Sequence, residues 1–572
     1  MVACGGGGST PVVPPVNPPP TATIPCGTAA ATNPPGGGGT AASIVIDPAA
    51  YGTADATGFT VYAFSQNNTG DAADPEVLDL VPDLVPRAWG KWDRGGTQPQ
   101  DYNFAYSTAA KNAGIAFIGG TTASALYRDE FTTDADFLNV TSCDASGNPV
   151  LHDFGGTKFY RATLASTAYR QYLINIGKIQ IDGGVTGLFF DEVDGSYAGA
   201  TYNGNEGFDN ADVADFGGFL CAKYPALTAA DWTTRFDVTA ADKLDCTLAA
   251  SVRGRGFDYR GYLKRHGWQT NPLAAANPLA AEWGNPIAGH ADPSAGSFVQ
   301  VYPSLVYWQD VVVQLRNYAR QKYNREIYIT ANGIFPFADF QSVGLWDYNP
   351  DGPGGTSADY APVTNDGHLN ATVTWLSVFR GMKQRSQKVA GRTVPVSTFE
   401  DWPTGNMSRY YAMPQQDRQD FVRLFTAESY AAGVYFALPL KTSMPADPTA
   451  SRLGMMPLFQ QLRDFYKAHA NLYRGASDVG GTVTVSAANV VENLTQVSDG
   501  STVLHLVNHN YSGGFQTQTN VAVSFPMAAA PANVTLVSPD LAADTPVAFV
   551  YSGGNVQVTI PQLVSYVAVV AK

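Results

Sequence analysis

A chain of 572 residues with 45% hydrophobic and only 15% charged residues can bury a large core, which excludes an intrinsically disordered protein. Its formal net charge of -14 argues against a polyanionic partner such as nucleic acid, because phosphate binding needs clustered lysines and arginines. One basic cluster does occur, and we interpret it as a solvated helix face: Arg253, Arg255, Arg260, Lys264 and Arg265.

The amino-terminal segment, residues 1–42, consists mainly of Gly, Pro, Ser, Thr and Ala. Such a composition cannot bury enough apolar area to fold, so we predict a disordered stalk. Near its start, Val2-Ala3-Cys4-Gly5 resembles the end of a bacterial lipoprotein signal peptide, in which the cysteine becomes the acylated first residue. The expectation is an exported protein, secreted or held at the bacterial surface or in the periplasm by a lipid on Cys4.

Export would permit disulfide bonds, and four further cysteines are available for them: Cys26, Cys143, Cys221 and Cys246. Cys221 with Cys246 is the preferred pair, because both fall in one inserted region. No apolar run approaches the roughly 20 residues of a membrane helix.

Between residues 43 and 474, short β-rich runs alternate with amphipathic helical patterns, which is typical of an α/β fold with a parallel sheet. Helices are predicted at Asp310 to Arg325 and at Asp417 to Ala432, the second ended by Gly433. Eight strands with helical crossovers predict a (β/α)8 TIM barrel. The predicted strands are 58–65, 84–92, 115–121, 186–192, 326–333, 343–349, 394–402 and 434–440.

Two spacings in this series are irregular. About 130 residues separate the fourth and fifth strands, which predicts a large insertion at about 196–300. The gap between the fifth and sixth strands is too short for a crossover helix, so one of these two strands is open to doubt. Residues 475–572 change to a period-two pattern with turn residues between the runs, which predicts an antiparallel β-sandwich.

Three predicted strands end in acidic residues, at Phe190-Asp191-Glu192, Trp346-Asp347 and Phe399-Glu400-Asp401-Trp402. In a barrel of this kind, residues at the carboxyl ends of strands build the active site. Cleavage of a glycosidic bond needs two carboxyl groups, one to protonate the leaving oxygen and one to attack or to activate water. Catalytic candidates are therefore Asp191, Glu192, Asp347 and Glu400. Aromatic rings stack on sugars, so Trp89, Trp92, Trp346, Tyr348 and Trp402 are substrate-binding candidates. The polar residues Asp194, Asn332 and Asp401, at or next to predicted strand ends, are further substrate-binding candidates.

Other chemistries find little support in the sequence. The seven histidines are scattered without metal-ligand spacing, and neither a G-x-S-x-G elbow nor a P-loop occurs. No cofactor and no metal is expected. His505 and His509, in the predicted sandwich, are interpreted as ordinary surface residues.

The run from the fourth strand to the sandwich resembles bacterial dextranases and cycloisomaltooligosaccharide glucanotransferases. The resemblance is carried by GLFFDEVDG, by TANGIF before VGLWDYN, and by LFQQLRDFYKAHANLYRG (458–475) as the helix closing the barrel. It implies a (β/α)8-barrel glycoside hydrolase with a C-terminal β-sandwich, with Asp191 as nucleophile and Asp347 as acid/base. That family has Glu followed by Trp where this chain has Asp347, so the substrate can differ.

Two other sugar-cleaving families and one non-catalytic function remain open. Retaining barrels of the largest glycosidase clan would use Glu192 and Glu400, and hydrolases of galactosamine exopolysaccharides also carry an Asp-Glu pair ending strand four. Asp191 and Glu192 point to opposite sides of a regular strand, and only the residue facing the barrel axis can do the chemistry. The non-catalytic alternative is a barrel that binds carbohydrate without cleaving it, with Trp89, Trp92, Trp346 and Trp402 as stacking platforms for the sugar rings. The sequence thus favours a secreted, retaining, dextranase-like hydrolase acting on a polysaccharide, with α-glucan preferred; it does not indicate an oligomeric state.

Overall fold

In the computed structural model of the protein, eight short parallel strands form a single sheet. The structure describes residues 47–65, 75–86, 104–123, 125–154, 157–191, 206–283, 304–331, 335–344, 367–399, 410–441 and 448–572. Each of the eight predicted barrel strands contains or overlaps a strand of this sheet, and the predicted residues 87–92, 192, 332–333, 345–349 and 400–402 lie outside the described residues. The bounds of the strands are Tyr62–Ser65, Leu84–Val85, Ala116–Thr122, Gly187–Asp191, Tyr328–Ala331, Gln341–Gly344, Val396–Phe399 and Tyr435–Lys441.

The order of these strands in the sheet is that of a nearly closed barrel. The first strand pairs with both the second and the eighth, and the fifth and sixth strands lie at the two edges. Hydrogen bonds join these edges: Asp339 N donates to Ile329 O at 2.8 Å, and Thr330 Oγ1 donates to Phe340 O at 2.8 Å. The short fifth-to-sixth connection therefore joins two true strands, and the doubt raised by its length is removed.

Helices cover the outside of the barrel, as the periodic pattern predicts. Helix Gln415–Ala431 ends as expected, since Gly433 has the positive φ of 72° that suits glycine after a helix. Among the described residues, no helix has both the length and the apolar composition needed to cross a membrane. The helices around the barrel are Pro75–Leu80, Ala105–Asn112, Thr167–Asp182, Ser304–Tyr323, Leu376–Ala390, Gln415–Ala431 and Met456–Ala468.

Two excursions leave the barrel at its carboxyl-terminal face. Between the third and fourth strands lie helix Asp134–Val140 and a small antiparallel sheet of strands Ala125–Leu126, Leu151–Phe154 and Thr157–Arg161. Between the fourth and fifth strands lies the predicted insertion, with helices Asn210–Lys223, Ala229–Phe236, Tyr259–His266 and Ala280–Trp283.

The insertion has a hydrophobic core of its own. The ring of Phe216 lies 4.8 Å from that of Trp283, and the ring of Tyr259 lies 4.9 Å from the same tryptophan. A disulfide joins Cys221 to Cys246, which confirms the preferred cysteine pair. Its own core and this cross-link together make the insertion a separately packed unit on the barrel.

The basic cluster differs in part from a solvated helix face. Lys264 and Arg265 are exposed, as expected. Arg255 instead lies half-buried with its Nη2 2.8 Å from Asp215 Oδ1, and Arg260 donates to Asn210 Oδ1. Arg255 precedes helix Tyr259–His266 and Arg260 lies in its first turn. Both side chains contact helix Asn210–Lys223, where Arg255 pairs with the carboxylate of Asp215.

The carboxyl-terminal region is an antiparallel sandwich of a six-stranded and a four-stranded sheet. Its core is made by alternate residues of both sheets, such as Leu504, Phe525 and Val569. The strands are Ser477–Asp478, Thr484–Val485, Val490–Gln496, Thr502–Asn508, Gln518–Pro526, Val534–Val537, Thr545–Pro546, Phe549–Ser552, Asn555–Leu563 and Tyr566–Ala571.

The interpretation of His505 and His509 as surface residues is wrong, because both are buried where the sandwich packs on the barrel. His505 Nδ1 lies 2.8 Å from the Tyr566 hydroxyl, and burial lowers its pKa to about 3. His509 Nε2 lies 3.0 Å from Glu428 Oε1, and that carboxylate raises the pKa of His509 against the effect of burial. The alternation of the strands could not reveal this, since both faces of the six-stranded sheet are covered.

Candidate active site

The carboxyl ends of the eight strands meet at one face of the barrel, which we call the mouth. Asp191 is the one predicted site residue that the structure describes. The other predicted site residues lie outside the described residues: Trp89, Trp92, Glu192, Asp194, Asn332, Trp346, Asp347, Tyr348, Glu400, Asp401 and Trp402.

The fourth strand turns Asp191 toward the barrel axis. Its neighbours Leu188 and Phe190 face outward, since Leu188 packs beside Gly177 of one outer helix and Phe190 lies 5.0 Å from Trp308 of another. Side chains alternate along a strand, so Phe189 and Asp191 face inward. Asp191 is only 1% exposed and is therefore a buried carboxyl group at the mouth.

The third strand brings Thr122 beside Asp191, because these two residues are partners in the parallel register. The same register pairs Gly120 with Phe189, and the outward side of the third strand packs through Gly119 against Gln180. Thr122 consequently faces the axis as well. The backbone closes the corner, with Ala123 N donating to Asp191 O at 2.7 Å.

Aromatic rings form the floor below the mouth. Phe64 of the first strand stacks on Phe399 of the seventh with ring centroids 5.4 Å apart. Further in, Tyr62 stacks on Tyr435 at 5.3 Å, and burial raises the pKa of Tyr62 well above its ordinary value. An apolar floor excludes water, so charges at the mouth are less screened than at the protein surface.

Beside the mouth, a second set of carboxyl groups fixes the insertion to the barrel. Asp212 Oδ2 accepts from Thr163 Oγ1 at 2.8 Å, and Asp209 Oδ1 accepts from the amides of Ala211 and Asp212 as the cap of helix Asn210–Lys223. Asp215 accepts from the hydroxyl of Tyr307, on helix Ser304–Tyr323. Sequence reasoning missed these acids, although their spacing of three residues places them on one helix face.

Burial raises the pKa values of all three acids. Asp212 is held well above its ordinary pKa, first by burial and then by the charge of Asp209. The pKa of Asp209 is raised by burial, and that of Asp215 is raised by burial to about 6 although Arg255 lowers it. Asp209 and Asp212 therefore both favour the protonated form more than an exposed aspartate does.

Asp212→Asn is therefore expected to raise the free energy of unfolding at pH 8 by about 1–2 kcal/mol. Because the folded-state pKa of Asp212 lies above that of the unfolded chain, its contribution to wild-type stability is full at acid pH and falls as pH rises through the folded-state pKa. The amide of the variant does not titrate, so its advantage should shrink toward pH 5. Urea denaturation at both pH values measures the difference.

The matched control is Asp215→Asn, which removes the negative partner of Arg255 and is expected to lower the free energy of unfolding. If Asp212→Asn lowered the free energy of unfolding equally at both pH values, the raised pKa of Asp212 would be contradicted.

In the part of the chain that the structure describes, no group of three or more His, Cys, Asp or Glu side chains could hold a metal ion. The candidate site is thus, among the described residues, a buried carboxyl group on an apolar floor with a hydroxyl beside it.

Solved structures similar in fold to this chain include a cycloisomaltooligosaccharide glucanotransferase from Paenibacillus sp., complexed with cycloisomaltoheptaose. The match has a TM-score of 0.55 and 11% sequence identity, and covers 90% of this chain and 85% of that one. A trehalose-6-phosphate hydrolase from Bacillus licheniformis has a TM-score of 0.45 at 9% identity, covering 90% of this chain and 99% of that one. A maltogenic α-amylase from Thermotoga neapolitana has a TM-score of 0.44 at 8% identity with the same coverage.

No protein-family model and no curated protein matches the chain. The fold of this chain is a (β/α)8 barrel with carboxyl-terminal antiparallel sheets, and it is similar overall to the fold of the Paenibacillus glucanotransferase. The resemblance indicated by the strand-end motifs is confirmed at the level of the fold.

Proposed function

We propose that the protein is a glycoside hydrolase that cleaves a polysaccharide with retention, and that Asp191 is its nucleophile. The observation that carries the proposal is a buried carboxyl group at the carboxyl end of the fourth strand, turned toward the barrel axis. Barrel enzymes carry their catalytic groups at this end of the strands. The resemblance to dextranases and cycloisomaltooligosaccharide glucanotransferases assigns the same role to an aspartate at the same strand end.

A second carboxyl group must protonate the leaving oxygen. The resemblance assigns this role to Asp347 after the sixth strand, and Glu400 after the seventh is the next candidate. Retention requires the two carboxyl groups to be about 5–5.5 Å apart, so the acid must reach across the mouth toward Asp191 from the end of the sixth or seventh strand. The inward orientation of Asp191 favours it over Glu192, because consecutive side chains of a strand alternate.

An α-glucan is the preferred substrate. The Paenibacillus enzyme of similar fold was solved with cycloisomaltoheptaose bound, which makes a glucose polymer the first to test. The tryptophans predicted to bind substrate, Trp89, Trp92, Trp346 and Trp402, have flat rings that can stack on the sugar rings of a long chain. A galactosamine polymer or a β-linked glycan is the alternative, with Glu192 and Glu400 as the acting pair.

The test is release of reducing ends from a panel of polysaccharides by wild type and by Asp191→Asn. The panel contains dextran, other α-glucans, β-glucans, arabinans and partly deacetylated galactosamine polymers. Cleavage of dextran that is lost in the variant supports the proposal, and NMR of the first product reports retention directly.

Other outcomes point elsewhere. Activity that survives Asp191→Asn transfers the nucleophile to Glu192 or Glu400. Measurable binding to one polymer without cleavage of any would make the barrel a carbohydrate-binding protein and would refute the enzyme.

We also propose that the protein is exported, and that its lipid anchor is Cys4. The disulfide between Cys221 and Cys246 supports export, because such bonds persist in oxidising compartments. Alkylation of protein taken from its native cells without a reductant is expected to leave both cysteines unmodified. Full alkylation of the pair would place the protein in a reducing compartment.

A further inference from the structure

Thr122 has a hydroxyl group that the fold itself does not use. The residue is 8% exposed, and its Oγ1 has no hydrogen-bond partner among the residues that the structure describes. A buried hydroxyl left in this state destabilises a protein. Packing therefore does not explain the choice of threonine over valine, which has the same shape.

The position of this hydroxyl is set by the sheet. Thr122 ends the third strand as Asp191 ends the fourth, and the two are register partners on strands about 4.8 Å apart. Both side chains face the axis, whereas Thr121 faces the outer helices. A sugar ring brought against Asp191 therefore comes within reach of Thr122.

Three other buried hydroxyl groups without described partners, those of Tyr62, Ser342 and Ser397, lie deeper in the barrel and cannot serve in this way. Tyr62 and Ser397 each precede by two residues the phenylalanines of the floor, Phe64 and Phe399, and Ser342 is the register partner of Ser397. The stacked rings separate these groups from the mouth. Thr122 lies at the mouth, on the other side of these rings.

We propose that Thr122 Oγ1 hydrogen-bonds a hydroxyl group of the sugar ring held against Asp191, and that Thr122 is a substrate-binding residue of the mouth. The inference rests on the proposed glycoside hydrolase function and adds a residue to its site. A hydroxyl neighbouring the anomeric carbon is the natural partner, because its hydrogen bonds strengthen as the ring gains positive charge in the transition state.

Three variants test this proposal on the polymer that wild type cleaves. Thr122→Val removes the hydroxyl at constant shape and is expected to lower kcat/KM by about 10- to 100-fold, mainly through kcat. Thr122→Ser restores the hydroxyl and should stay within about threefold of wild type. Thr121→Val, on the outward side of the same strand, should stay within about twofold. The melting temperature of Thr122→Val should equal or exceed that of wild type, because a buried hydroxyl without a partner is removed.

Loss of activity with gain of stability is the pattern that a purely structural threonine would not give. Wild-type kcat/KM in Thr122→Val would overturn the inference while leaving the hydrolase in place. So would equal losses in Thr122→Ser and Thr122→Val, since the hydroxyl would then have no role. A wild type that cleaves no polymer would instead refute the proposed function, and this inference with it.

Discussion

Asp191→Asn should reduce polysaccharide cleavage at least about a thousandfold while the protein stays folded, since loss of a covalent nucleophile removes the main catalytic route. The substitution keeps the shape of the buried side chain, so the packing around it is preserved. Its melting temperature should therefore lie at or above that of wild type, because catalytic carboxyl groups commonly reduce stability. Initial rates and thermal unfolding, measured on the same preparations, check both parts.

The matched control is Asp79→Asn, an exposed carboxyl group that accepts from Gln460 on the neighbouring helix, and it should leave the rate unchanged. A sharper test replaces Asp191 by Gly and adds azide. Azide then attacks the anomeric carbon from the side left by the carboxylate, the leaving group departs with the proton of the acid residue, and a glycosyl azide of inverted configuration forms. A variant that retains full activity without azide would exclude Asp191 as nucleophile.

Arg316→Met should lower the free energy of unfolding by about 3–5 kcal/mol, because it breaks a fully buried ion pair and leaves the carboxylate of Asp339 only the more distant Arg392, whose Nη2 lies 3.6 Å from Asp339 Oδ1. Arg316 and Asp339 both have fully buried side chains, with Nη1 and Oδ2 2.9 Å apart. The guanidinium also donates to the carbonyl groups of Ala50, Ile327 and Phe337, at 3.0, 2.9 and 3.1 Å. Asp339 in turn accepts from Ile329 N at 2.7 Å, so this ion pair fastens the seam between the fifth and sixth strands.

Arg320→Met, on the same helix, provides the comparison. Arg320 binds Glu326 at 2.6 Å, but both side chains are partly exposed, and the expected loss is about 1 kcal/mol or less. Adding Asp339→Asn to Arg316→Met should recover part of the loss, because the buried carboxylate that lost its nearer partner is then gone. Equal losses for Arg316→Met and Arg320→Met in urea denaturation would contradict the role of the buried pair.

The sequence predicted the barrel well because its strands are short, apolar and separated by periodic helices. It left the fifth or sixth strand in doubt only because the short connection between them cannot hold a crossover helix, and in the structure a buried ion pair secures this seam instead. Arg316 lies in the amphipathic helix before the fifth strand, and Asp339 beyond that strand, so no local pattern links them.

The site was predicted less completely, for a geometric reason. Alternation left Asp191 and Glu192 equivalent until Leu188 and Phe190 were seen against the outer helices. Thr122 gave no signal, since a threonine in a strand is common and its importance comes from the register with Asp191. Asp212 belongs to a helix whose acids could have been noticed by their spacing, but their burial depends on contacts with distant segments.

The pairing of the first and eighth barrel strands also constrains how the chain can fold as it is made. Tyr62–Ser65 lies beside Tyr435–Lys441, and Tyr430 reaches back 370 residues to hydrogen-bond Thr60. Until the eighth strand has left the ribosome, the first strand keeps an open hydrogen-bonding edge, which is a hazard for aggregation. Nascent chains that stop short of residue 435 should consequently depend on chaperones, and the barrel should become resistant to proteolysis only late in synthesis.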